Sequence, residues 1–415
     1  MGSRSILTLA LLVAAAACTE NAEETSSTTS PASSTTSTTV TSPSDQGRLA
    51  VIDPEDGVVV MDPDGANRRV ITEGVGGENP STLMQPIWSS DGSALAWGQR
   101  TGTGFGVGIS TPGSGVITIL STPDLPFYTY WSPDSRHLGV LHNGTSGVQF
   151  QIADVSQEST SLLDEDAPFY FSWNPEGDMV VTHAGATRAE TLTTDGERME
   201  LEPTTANYLA PQWTPRGVFH VVGDRLVLED DQGERRPVAE VSGLTLFVAN
   251  SEGSRVALQS TGQDGDGLTA AAGDFPEVAT NAVVVVDVET GDTDLVHDST
   301  SFGFFWSRDG RSLLALTPTD GSLTPKVWSV DGTETEYPPF RPTQGLVQDL
   351  LPFFPQYAQS VSFWSPDSSA FAFAGGVEGE TGVWVQPLDT DSPTRISAGS
   401  WVSWSPAGGD DNPDL

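Results

Sequence analysis

Lysine is almost missing from this chain. Lys326 is the only one, and lysine and arginine together number 18 against 56 aspartates and glutamates, for a formal net charge of −38. So acidic a surface repels phosphate backbones and anionic headgroups, which excludes nucleic acid and anionic membrane faces as partners. Cysteine is nearly absent too. Cys18 stands alone, so no internal disulfide can form. The run Ile6–Ala17 is small or apolar throughout, but it falls short of the roughly 20 residues a membrane-crossing helix needs. Helical periodicity is nearly absent, and 43 glycines and 29 prolines break the chain into short strands and tight turns. There is no Gly-x-Ser-x-Gly elbow, and the histidines (His137, His142, His183, His220, His297) follow no metal-ligand spacing. Neither a catalytic motif nor a cofactor is expected.

What the chain does have is a repeat. Phe127–Val140 alternates into Trp131, turns through Ser132-Pro133-Asp134-Ser135, and alternates again. That is a hairpin, with proline presetting φ at one turn position and Asp or Gly tolerating the next. Further copies begin at Trp88, Trp173, Trp213, Trp306, Trp364 and Trp404, and a degenerate copy, Ala249-Asn-Ser-Glu-Gly253, keeps the turn but lacks the Trp. The copies recur about every 40 residues, the length of one four-stranded propeller blade. The expected fold is therefore all-β: an eight-bladed β-propeller of antiparallel blades. Seven blades is the alternative if the Ala249 copy or a chain end fails to form one.

The motif resembles the WD-repeat-like propeller of the TolB family, in which a Trp-Ser-Pro-Asp-Gly hairpin is followed by a strand ending in an Asp-x-Asp-Gly turn. Val58–Gly65 matches that second half, and Thr193–Gly196 and Ser329–Gly332 echo it. The resemblance covers about 48–408 and implies a propeller with an envelope-associated, protein-interacting role. The amino-terminal domain of that family is replaced here by a Ser/Thr-rich stretch.

The folded part begins mid-blade. Three strands from Arg48 to Thr72 have no Trp strand before them, and Ser400–Trp404 is a Trp strand with almost nothing after it. The two ends are expected to share one blade, closing the ring and removing a free sheet edge. Ahead of this, residues 1–17 read as a targeting segment ending in Ala15-Ala16-Ala17-Cys18. That resembles a bacterial lipoprotein signal, with Ala15 where Leu is usual, and implies lipidation at Cys18 and membrane attachment. Residues 18–47, nearly all Ser, Thr, Pro and acidic, cannot bury apolar surface and are expected to be a disordered tether. The propeller then runs over 48–408, with an acidic tail at 409–415.

Two repeats are too long. One insertion, 261–280, falls between the second and third strands of the degenerate blade. The other, 338–359, is placed between the last strand of one blade and the first of the next. Both should project from one face, opposite the Trp turns, and loops on a rigid scaffold are where binding residues concentrate. The second insertion carries Phe340, Leu346, Leu350, Phe353, Phe354 and Tyr357, and a two-turn helix is expected over 344–351. Phe127, Tyr128, Phe169 and Tyr170 lead into blades on that face. Together these ten form the candidate binding surface for a protein, peptide or envelope glycan. The same apolar insertion could instead fold back into the central channel. Asp264-Gly-Asp266-Gly267 begins like a calcium loop, but Leu268 stands where another ligand belongs and no Glu closes it. Three functional readings follow: a lipid-anchored binding module; a propeller-type glycan lyase or hydrolase using channel carboxylates, marked by a carboxyl of raised pKa; and an envelope scaffold or sensor.

Overall fold

The computed structural model describes residues 46–72, 83–101, 104–111, 115–260, 269–270 and 282–406. Residues 1–45, with Cys18, most of the 261–280 insertion, with Asp264 and Asp266, and the 409–415 tail lie outside the described residues. Among those described, eight antiparallel sheets form the eight blades of a propeller. The innermost strands of blades 1 to 7 are Val402–Trp404, Met84–Trp88, Tyr128–Trp131, Phe169–Trp173, Gln212–Thr214, Thr245–Ala249 and Gly303–Trp306. Blade 8 is built on Arg341–Pro342, Ala370–Val377, Glu380–Pro387 and Thr394–Ser397. The ring closes as the sequence implies. Leu49, Ala50 and Val51 pair with Trp404, Ser403 and Val402, so the last strand supplies the inner edge of the blade that opens the domain. The degenerate copy forms blade 6 in full.

The repeated turn is a small hydrogen-bond device. Ser132 Oγ donates to Asp134 Oδ1 at 2.5 Å and accepts the His137 N–H at 2.9 Å. Ser89/Asp91, Ser307/Asp309 and Ser365/Asp367 repeat it. In blade 4 Asn174 alone does the work, its Oδ1 accepting three backbone N–H groups. Each Ser thereby satisfies a donor that the hairpin leaves open.

The Trp residues act between blades. The indole N–H of Trp131 donates to the Ile87 carbonyl, of Trp173 to Tyr130, of Trp306 to Val248, of Trp364 to Phe305 and of Trp88 to Ser403. In each case the acceptor is the residue just before the Trp position of the preceding blade. One residue type thus fills the interblade core and fixes the neighbour. Blade 6 has no indole to offer. There Gln212 of blade 5 spans the gap, its Oε1 accepting the Ala249 N–H at 2.6 Å and its Nε2 donating to the Phe247 carbonyl at 2.9 Å.

The second insertion departs from expectation in place, and in role it follows the alternative of a segment folded back into the central channel. It does not lie between blades but splits the innermost strand of blade 8. Arg341–Pro342 pairs with Gly375 and Gly376, the chain leaves the sheet, and Trp364 rejoins it opposite Phe371. Gly375 permits this because a Cβ there would lie 2.6 Å from the Arg341 carbonyl oxygen and the Phe340 ring. Instead of one two-turn helix, the excursion is a wide π-helical turn at Leu346–Leu350, a 3-10 turn at Leu351–Phe353 and a single α-turn at Phe354–Tyr357. It enters the axis of the propeller. Of the first insertion, Thr269–Ala270 adds a fifth strand to blade 5, pairing with Ala239 and Glu240.

Candidate functional site: two cavities on the propeller axis

Most of the residues expected to form an exposed apolar patch are buried. Phe340, Leu346, Leu350, Phe354 and Tyr357 are at most 6% exposed, and Phe353 alone, at 43%, remains at the surface. Hydrophobicity explains the correction. An axial channel ringed by the inner strands offers far more apolar contact than the open face, and burying each such side chain is worth about 1.5–3 kcal/mol. Phe354 packs edge-on against Phe304 at 4.7 Å, and Tyr357 against Tyr128 at 5.0 Å.

Polar groups fix the register of this plug. Gln356 is buried and pairs with the inner strand of blade 4 as a strand would, accepting the Phe171 N–H at 2.9 Å and donating to the Phe171 carbonyl at 2.8 Å. Tyr357 donates its hydroxyl to the Phe127 carbonyl at 2.6 Å and accepts from Gln85 Nε2 at 2.7 Å. The Tyr128 hydroxyl donates to the Gln356 carbonyl at 3.0 Å. Burial pushes the Tyr357 phenol well above its ordinary pKa, so it stays a neutral donor. One insertion thereby grips blades 2, 3 and 4 and separates two cavities.

On the loop face lies an apolar cleft of about 300 Å³, walled by Met84, Phe127, Tyr128, Leu141, Val148, Pro168, Phe169 and Tyr170 from the blades and by Gln348, Asp349, Phe353, Gln356 and Tyr357 from the plug. Six of the ten candidate residues meet here: Phe127, Tyr128, Phe169, Tyr170, Phe353 and Tyr357. Phe340, Leu346 and Leu350 instead border a small apolar gap toward blades 7 and 8, and Phe354 lies in the core. Asp349 is the single carboxyl on the cleft wall. It is exposed at the rim, and partial desolvation by its apolar surroundings raises its pKa.

On the opposite face the Trp turns surround a larger chamber of about 510 Å³, with Ala358–Phe363 of the plug forming part of its wall. Trp131, Trp173 and Trp364 show at most 2% of their surface. Trp213 and Trp306, on either side of the Trp-less blade 6, are more exposed. Arg308 is the one charged side chain lining the chamber. Its Nη2 donates to the Trp404 carbonyl at 3.0 Å, and its Nε is enclosed with no acceptor. Burial pushes its pKa down to about 10.

Sequence reasoning missed Gln356, Gln85 and Gln212, since a glutamine whose partner lies 35 to 272 residues away in the chain leaves no periodic trace. Arg308 did leave a signal: it occupies the turn position that is Pro in Trp131-Ser-Pro, Trp173-Asn-Pro, Trp213-Thr-Pro, Trp364-Ser-Pro and Trp404-Ser-Pro. Among the described residues no group of three or more His, Cys, Asp or Glu side chains is placed to hold a metal ion.

No protein-family model matches the sequence, and no curated protein matches it either. Solved structures do resemble it. They include the dihydro-heme d1 dehydrogenase NirN, with 14% identity, TM-score 0.55 and coverage of 89% of this chain and 76% of that one. An oligogalacturonate lyase in complex with manganese has 13% identity, TM-score 0.50 and coverage of 83% and 98%. TolB from Acinetobacter baumannii has 14% identity and TM-score 0.41, covering 70% of this chain, which spans 63% of the TolB chain. What the chain shares with the first two of these proteins is the fold.

Proposed function

We propose that this chain is an exported, lipid-tethered propeller that binds a protein or peptide on its loop face and seats an apolar side chain in the aromatic cleft. The observation that carries the reading is convergence. Aromatic residues from the starts of two blades and from the plug, more than 180 positions apart in the sequence, meet around one apolar cleft of about 300 Å³ beside an exposed Phe353. A fold that hosts both binders and enzymes leaves function to the site, and an apolar pocket on rigid strands suits an anchor residue at the centre of an interface. Burying one Leu or Phe side chain there supplies about 1.5–3 kcal/mol, so the rim must add the rest. The net charge of −38 favours a partner with a basic rim and speeds its approach. Cys18 and the Ser/Thr-rich stretch after it support attachment to a membrane by lipid, with the tether giving the propeller reach.

The test places a photo-crosslinking residue at position 353 of the full chain in its native cells. A discrete protein adduct, reduced when Met84 is changed to Gln to make the cleft polar, supports the reading. Adducts that ignore the cleft substitution, or their absence, refute it. A second reading is a glycan-processing enzyme, and Asp349 is the observation in its favour. Turnover of an envelope glycan that the Asp349→Asn variant abolishes would establish it.

A further inference from the structure

The Trp-face chamber is built differently from the loop-face cleft and does not depend on the reading given to that cleft. Three features of it converge. The first is a cation without a counter-ion. Many cationic side chains in this acidic chain find carboxylates: Arg68 pairs with Asp53 and Asp56, Arg188 with Asp164 and Asp166, Arg235 with Glu229, and Lys326 with Glu334 and Glu336. Arg308 makes no such pair among the described residues. Its one acceptor is a backbone carbonyl, and its Nε has none. The adjacent Asp309 is already engaged by the Ser307 hydroxyl and the Arg311 N–H.

The second feature is the wall. Apart from Arg308, the residues lining the chamber are aromatic, apolar or neutral and polar, among them Ser90, Ser251 and Gln359, with no carboxylate. Among the described residues, the wall of this space of about 510 Å³ carries a single charge, and that charge is positive, in a protein of net charge −38. The turn acids next to lining residues, Asp91, Asp134 and Asp309, are held by hydrogen bonds from their own turn serines, and carboxylates beyond a Debye length of about 8 Å are screened at physiological salt.

The third feature is the break in the repeat. Ala249 stands where seven other copies have Trp. Gln212 replaces the lost interblade hydrogen bond but not the missing ring, and the flanking Trp213 and Trp306 are more exposed than Trp131, Trp173 and Trp364. Two departures from the repeat, an absent Trp and an Arg at a turn position that is Pro in five copies, therefore open on one chamber.

We infer that this chamber is a binding site for a small organic oxyanion, a carboxylate or phosphate monoester on a flat apolar body. The guanidinium of Arg308 pairs with the oxyanion. A planar guanidinium with free N–H groups matches a carboxylate or phosphate in geometry as well as charge. The space left by the absent Trp takes the body between the partly buried indoles of Trp213 and Trp306. The chamber volume lies within the usual range for small-ligand sites, about 300–1,000 Å³.

The test uses the full chain purified in detergent, with benzoate and phenyl phosphate as probes and benzyl alcohol as the uncharged control, read by tryptophan fluorescence and by the shift in Tm. The expected result is saturable binding of at least one anion, at least tenfold weaker binding of the alcohol, and weakening by added salt. Arg308→Gln should lose at least tenfold in anion affinity. Arg308→Pro should do the same while keeping the ligand-free Tm, because proline is the residue five other copies carry at this turn position. Phe353→Ala, on the far face, should leave anion binding unchanged, so the two sites stand or fall separately. Absence of saturable binding of either anion up to about 10 mM overturns the inference. So does equal affinity for anion and alcohol, or an Arg308→Gln variant that binds like the parent.

Discussion

If the second insertion is part of the core, its anchor should be worth several kilocalories. Gln356 is only 2% exposed and serves both the N–H and the carbonyl of Phe171. Changing it to Ala leaves two backbone groups buried and unpaired, at about 1–3 kcal/mol each. With the lost packing, the expected cost is about 3–5 kcal/mol. At roughly 2 °C per kcal/mol for a domain of this size, Tm should fall by about 6–10 °C, measured by circular dichroism alongside urea unfolding. Gln356→Glu makes the logic sharper. Its protonated carboxyl can both donate and accept, whereas the ionised form loses the donor and brings a buried charge. Burial raises the folded pKa above the unfolded one, so the stability of that variant is retained below the unfolded value and lost as pH rises through the folded value. Its deficit should therefore be smaller at pH 4 than at pH 8. Gln359→Ala is the control, since Gln359 reaches Pro211 and Pro355 only at 3.3 Å and is half-buried. It should cost less than about 1 kcal/mol. A Gln356→Ala protein within about 0.5 kcal/mol of the parent would refute the account of the insertion as a plug.

Three further outcomes are expected. Trp131, 2% exposed and bonded through its indole to Ile87, should cost about 3–5 kcal/mol as Ala and clearly less as Phe, which keeps most of the packing and forfeits the interblade hydrogen bond; equal losses in urea unfolding would deny that bond a role. Burial works against the Asp91 carboxylate, but hydrogen bonds from Ser89, Ser93 and Ser135 hold its pKa below the ordinary value, so its contribution is full above the unfolded pKa and disappears as pH falls through the folded one; Asp91→Asn should destabilise at pH 7, with its gap from the parent narrowing as pH falls below the ordinary carboxylate range, and a gap that does not narrow would count against the turn network. Cys18→Ser should move the protein from the membrane fraction to the soluble fraction and remove the acyl mass from its N-terminus, as read by fractionation and intact-mass spectrometry.

The repeat was legible because it is local. A hairpin whose Ser, Pro and Asp each meet a backbone requirement within a few residues writes its chemistry in adjacent letters. Copies in register then imply blades, and the unmatched half-blades at the two ends imply ring closure, which the Leu49–Trp404 pairing realises. Even the break at Ala249 was visible, though not that Gln212 would bridge it. The destination of residues 338–359 was not legible. Their apolar content required burial without naming a partner, and both an exposed contact surface and a filled channel meet that requirement. Only the closed ring decided between them, because the inner strands of eight blades create a space that does not exist in any one repeat. The same holds for Arg308, which was only a departure from proline in a turn until the ring set it, without a carboxylate, in the wall of a chamber. The sequence by itself determined the blade, which rests on short-range hydrogen bonds and alternation, and pointed to eight of them with seven left open until the Ala249 copy and the joined ends each proved to form a blade. The tertiary structure alone decided what the axis holds, since that depends on side chains hundreds of residues apart meeting in one enclosed volume.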